Sequence, residues 1–107
     1  MNQLERPSYP APEWDIEEAR RIVRSMLAEH EVDVYLFGSA ANGNMTDHSD
    51  IDIAVLAKEE LPTGLLAQIR EALDQSNILY PIDLVYLNDT SADFKSKVLQ
   101  QGKSWNA

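Results

Sequence analysis

The sequence predicts an α/β (α+β) domain built on a small mixed β-sheet of at least three strands, with helices on one face. Three observations carry this reading. Apolar residues recur at helical spacing in three segments, three short β-branched or aromatic runs stand between them, and the resulting order is helix, strand, strand, helix, strand, helix. The 107 residues, 44% hydrophobic and 25% charged, suit one domain that buries roughly two-thirds of its unfolded surface.

Residues 1–13 hold Pro7, Pro10 and Pro12 and few apolar positions, so an extended N-terminal arm is expected there, with the domain at 14–107. Asp15 followed by Glu18 has capping-box spacing, and Ile16, Ala19, Ile22, Val23, Met26 and Leu27 then define a helix to about His30. Val34-Tyr35-Leu36-Phe37 reads as a buried strand that stops in a tight turn at Gly38. Ser39 to Ser49 is polar, with Asn42-Gly43-Asn44 as its turn signal. Ile51, Ile53 and Val55 alternate with Asp50, Asp52 and Ala54, which puts aliphatic side chains on one face of a second strand and two carboxylates on the other. Leu65, Leu66, Ile69, Ala72 and Leu73 mark a second helix ending near Asn77. Pro81 announces a third strand, about Ile82 to Leu87, with Asp83 and Val85 on one side. Thr90 with Asp93 is expected to cap a last helix carrying Phe94, Val98 and Leu99, with Gly102 near its end.

Composition narrows the chemistry. Eighteen acidic residues against nine basic ones leave a formal charge of -9, which argues against direct nucleic-acid binding and against anionic membranes, and in favour of a basic partner or divalent cations. The absence of cysteine excludes disulfides, thiolate zinc sites and thiol nucleophiles. No apolar run approaches the ~20 residues that cross a bilayer, and no cationic start precedes an apolar stretch, so a cytoplasmic protein is expected.

Three aspartates carry the chemical signal. Asp50 and Asp52, two apart, point to one side of their strand, and Asp83 joins them if its strand is a neighbour. Such carboxylates repel one another, raising their pKa values, and a divalent cation relieves the repulsion. Magnesium takes few carboxylates plus water and phosphate oxygens, and two such ions can clamp the attacking and leaving oxygens of a nucleotidyl transfer. The plainer reading is a solvated sheet face, with which the aspartates alone are equally compatible. Gly38-Ser39 after a strand shifts the balance, because glycine admits close backbone approach while amides and the serine hydroxyl hold phosphate oxygens. A calcium loop over 42–52 fails: Asp47 stands where glycine is required and Ile53 where the bidentate glutamate should be. His30 belongs to a helix end, where terminal carbonyls are its natural partners, and His48 to a polar loop.

Gly38-Ser39, ten intervening residues, then Asp50-Ile51-Asp52, together with the later Ile82-Asp83-Leu84-Val85, resembles the DNA polymerase beta-like nucleotidyltransferase superfamily. The pattern is similar in particular to the minimal nucleotidyltransferase (MNT) family, from the first helix to Gly102. The resemblance implies a palm-like fold, Asp50, Asp52 and Asp83 as magnesium ligands and catalytic carboxylates, and a nucleoside triphosphate held by Gly38, Ser39 and Ser49. It further implies an antitoxin paired with a helical HEPN protein, transferring AMP from ATP to a tyrosine hydroxyl of that partner, with two Mg2+ ions as cofactors. One departure stands out: family members usually carry arginine where this chain has Ala40 and Asn42, and no lysine or arginine occurs between Arg24 and Lys58. That departure motivates the alternative of a weak or inactive MNT-fold protein that neutralises its partner by binding alone. A small-molecule acceptor ranks lowest, because relatives of that kind generally use an added substrate domain.

Overall fold

The computed structural model describes residues 7, 11–46 and 48–105. Helix α1 (Pro12–Met26) opens with a proline in its first turn, where the missing N–H costs no hydrogen bond. Most of the expected arm lies outside the described residues, and its last two positions, Pro12 and Glu13, already belong to α1. Asp15 is therefore not the cap its spacing suggests. It is fully buried within the helix, and its Oδ2 accepts a 3.2 Å hydrogen bond from the Leu79 N–H, tying α1 to a distant loop.

Strand β1 (Val32–Phe37) leads to a single helical turn, α2 (Ser39–Asn42), and then to β2 (Ile51–Ala57). Helix α3 (Leu65–Asp74) crosses over to β3 (Ile82–Tyr86), and a 3-10 turn at Leu87–Asp89 leads into α4 (Ala92–Gln101) and the two-residue β4 (Lys103–Ser104). The sheet order is β3-β2-β1-β4. β1 runs antiparallel to both β2 and β4, whereas β2 and β3 are parallel, as their helical crossover requires.

The α/β class and the mixed sheet agree with expectation, but the helices do not all share one face. Val34, Leu36, Ile51, Ile53, Val55 and Leu84 face α1 and α3 in the main core. The alternate residues Tyr35, Phe37, Ala54 and Val85 face the other way and pack with Phe94 and Val98 of α4. The last helix forms as expected, but an amphipathic helix carries no mark of which side of a sheet it will cover, so the face taken by α4 departs from the reading of helices on one face.

Polar contacts fix the sheet and the start of α4. Asn88 continues the β2 ladder as a surrogate strand: the Ala57 N–H donates to its Oδ1 at 2.8 Å and its Nδ2 donates to the Ala57 carbonyl at 2.9 Å. Arg70 of α3 donates from Nη2 to the Leu84 carbonyl of β3 at 2.9 Å. Ser91, not Thr90, caps α4 by accepting from the Phe94 N–H at 3.2 Å, while the Thr90 hydroxyl turns back to the Leu87 carbonyl. Trp105 is buried and donates its backbone N–H to the Val34 carbonyl at 2.7 Å, closing the β1 edge.

Candidate active site

The site begins where β1 stops. Gly38 takes φ 69° and ψ -153°, a region that is nearly exclusive to glycine. A side chain there would also collide: a Cβ on Gly38 would overlap Asp52 Oδ2 and stand 3.3 Å from Asp52 Cγ. Residue 38 is glycine for two separate reasons, its backbone angles and the carboxylate beside it. After this reversal the Gly38 carbonyl accepts from the Ala41 and Asn42 N–H groups, and buried Ala40 and Ala41 anchor the turn of α2. Ser39 is left half-buried at the rim.

The loop from Thr46 to Ser49 delivers the acids. The Thr46 N–H donates to Ser49 Oγ at 2.8 Å, and the Ser49 N–H donates to the Thr46 carbonyl. The Ser49 hydroxyl thus closes the loop ahead of Asp50. The Ile51 N–H then donates to the Pro81 carbonyl at 2.8 Å, which registers the start of β2 against the start of β3.

That register brings the aspartates together. Phe37 pairs with Asp52 across β1 and β2, and Asp52 pairs with Asp83 across β2 and β3, so the three residues form one row on one face of the sheet. Asp50 and Asp83 are exposed and Asp52 is half-buried. Although α4 packs on this face of the sheet, Asp50 and Asp83 stay open to solvent. The Asp52 pKa is raised above the usual aspartate value, first by burial and then by the charges of Asp83 and Asp50. Oxygen donors with this mutual repulsion suit a hard divalent cation, while among the described residues no three such side chains converge closely enough to hold an ion by themselves.

Beside this row lies a cleft of about 470 Å³, walled by Gly38, Ser39 and Asn42 on one side and by Phe94 and Lys97 of α4 on the other. Phe37 and Phe94 meet edge to face, with centroids 5.8 Å apart, and form its apolar floor. The contribution of α4 was not visible in the sequence. Phe94 and Lys97 stand three apart on one helical face, but nothing local says that this face looks at the Gly-Ser turn. Neither histidine lines the cleft: His30 follows the end of α1 and its Nδ1 meets Glu59 Oε2 at 3.2 Å instead of terminal carbonyls, and His48 is exposed in the loop just ahead of Asp50.

Comparison with known proteins agrees with this geometry. The Polymerase beta, Nucleotidyltransferase family model matches residues 23–104. The chain is 39% identical over 74 residues to the protein adenylyltransferase MntA of Shewanella oneidensis, covering 65% of this chain and 50% of that protein. It spans between 29% and 67% of the length of the other curated relatives it matches. Among solved structures, a toxin-antitoxin crystal structure with AMP-PNP superposes with a TM-score of 0.64 at 30% identity, covering 80% of this chain and 71% of that one. The complex of a tri-AMPylated Shewanella oneidensis HEPN toxin with its MNT antitoxin gives 0.62 at 26% identity, covering 89% and 71%. With the Gly-Ser turn, the aspartate row and a family match that runs from within α1 to β4, the chain belongs to the polymerase beta nucleotidyltransferase family, among its minimal nucleotidyltransferases.

Proposed function

We propose that this chain is a magnesium-dependent adenylyltransferase that moves AMP from ATP to a tyrosine hydroxyl of a helical HEPN partner and so acts as an antitoxin. The observation that carries the reading is the row Phe37, Asp52, Asp83 beside the Gly38-Ser39 turn. The names of the similar proteins, a protein adenylyltransferase and an AMPylated HEPN toxin held by an MNT antitoxin, support the choice of donor and acceptor.

In this reading Gly38 and Ser39 hold the triphosphate through backbone amides and a hydroxyl, and Ser49 holds the loop that presents Asp50. Asp50, Asp52 and Asp83 would hold the divalent ions, which when bound neutralise phosphate charge and favour the departure of pyrophosphate. The acceptor oxygen forms a bond to the α-phosphorus, the bond from that phosphorus to the bridging oxygen breaks, and the hydroxyl proton passes to a carboxylate, the role this reading gives to Asp83. Pyrophosphate leaves with the bridging oxygen. The surplus of acidic residues suits a basic partner, and a cytoplasmic setting, where ATP and Mg2+ are abundant, fits this chemistry. Among the described residues no helix is long and apolar enough to cross a membrane.

The test is incubation of the purified chain with its cognate partner, ATP and Mg2+, followed by intact mass measurement. A gain of one or more adenylyl groups on the partner is expected, and its absence refutes the proposal. The absence of arginine at Ala40 and Asn42 favours a second reading, neutralisation by binding alone. Neutralisation that survives Asp50→Asn with Asp52→Asn selects binding, whereas its loss with the complex intact selects catalysis.

A further inference from the structure

A triphosphate brings several negative charges to a site that already holds three carboxylates. The Gly-Ser turn offers no cation to meet them, since the sequence has no lysine or arginine between Arg24 and Lys58. The fold supplies one from elsewhere. Lys97 lines the cleft opposite Gly38, Ser39 and Asn42, and among the described residues its ammonium group has no carboxylate partner. Helix α4 is held in place by the Phe94 to Phe37 ring contact and by the burial of Val98. Phe37 is the first member of the row that continues through Asp52 and Asp83, so the cleft and the acids adjoin on one face of the sheet.

We infer that Lys97 is a phosphate-binding residue of this site, reaching across the cleft to the polyphosphate chain and substituting for the cations missing from the Gly-Ser turn. This rests on the nucleotidyl-transfer reading above and adds a residue from a different element to it. A lysine on a flexible stem suits the role, because it meets a phosphate as a point charge from a distance and needs no bidentate geometry. Lys95, on the same helix, does not line the cleft and serves as an internal control.

Calorimetric titration of the full chain with ATP, AMP and adenosine in the presence of Mg2+ tests the inference. Lys97→Ala is expected to weaken ATP binding about tenfold, the usual scale of one charge-assisted contact, with a smaller effect on AMP and none on adenosine. Lys97→Arg should restore most of the loss, and Lys95→Ala should bind all three ligands like the unaltered chain. Unchanged ATP affinity in Lys97→Ala, or an equal loss for adenosine, overturns the assignment while leaving adenylyl transfer standing. Failure of the unaltered chain to bind ATP overturns both.

Discussion

Replacing Gly38 with alanine tests the junction on which the site is built, because the cost has two parts that can be separated. The backbone angles, φ 69° and ψ -153°, cost a non-glycine residue about 1–3 kcal/mol. The added Cβ also drives into the Asp52 carboxylate, and relief requires that carboxylate to swing, which adds about 1 kcal/mol by the scale of overpacking. The expected total is about 2–4 kcal/mol, a fall in unfolding temperature of roughly 10–20 °C for a domain of this size. A double-mutant cycle with Asp52→Ala isolates the second part. Without the carboxylate, the nearest remaining Asp52 atom is Cβ at 3.6 Å, an ordinary contact, so Gly38→Ala should cost about 1 kcal/mol less in that background. Gly43→Ala is the reference: Gly43 also has positive φ, 78°, but open space where a Cβ would point. Chemical denaturation of the four cycle members and the reference supplies all the numbers. Equal costs of Gly38→Ala in the two backgrounds, or a cost no greater than that of Gly43→Ala, would refute the steric coupling between the turn and the acid.

Asp52 should destabilise the unliganded fold at neutral pH, because burial and its acidic neighbours raise its pKa in the folded state. Its folded pKa lies above the unfolded value, so the associated stability is present below the ordinary value of 3.8 and is lost as pH rises through the raised one. Asp52→Asn should therefore unfold at a higher temperature than the unaltered chain at pH 7, with the gain shrinking as pH falls through the acid range; a gain that is absent at pH 7, or independent of pH, contradicts this. Asn88→Ala removes both hydrogen bonds to Ala57 and should cost about 1–3 kcal/mol, measured by urea denaturation, whereas a loss below about 0.5 kcal/mol would show that the surrogate strand contributes little.

What could be read from the chain follows the length and regularity of each signal. The alternation of Ile51, Ile53 and Val55 with Asp50 and Asp52 spans enough residues to specify both faces of β2, and Asp52 appears on the side opposite the aliphatic residues. Gly38 ends β1 because its φ requires a glycine, a requirement the sequence states directly. Shorter features left no comparable trace. Four residues of α2 and two of β4 are too few for periodicity to register. Asp15 and Glu18 have capping-box spacing, but the pattern is equally compatible with an aspartate buried one turn into a helix that opens on Pro12. Lys97 and the placement of α4 depend on tertiary packing, which no local pattern encodes.

Because β3 is an outer strand of the sheet, its free side is a template for a foreign strand unless something blocks it. The Arg70 guanidinium occupies the Leu84 carbonyl, and Asp83 stands as a charge on the rim. Neutralising Asp83 should therefore invite self-association, and any loss of the proposed transfer activity in such a variant is interpretable only alongside its sedimentation behaviour. Arg70 and Asp83 make the boundary of this sheet an anti-fibrillar guard.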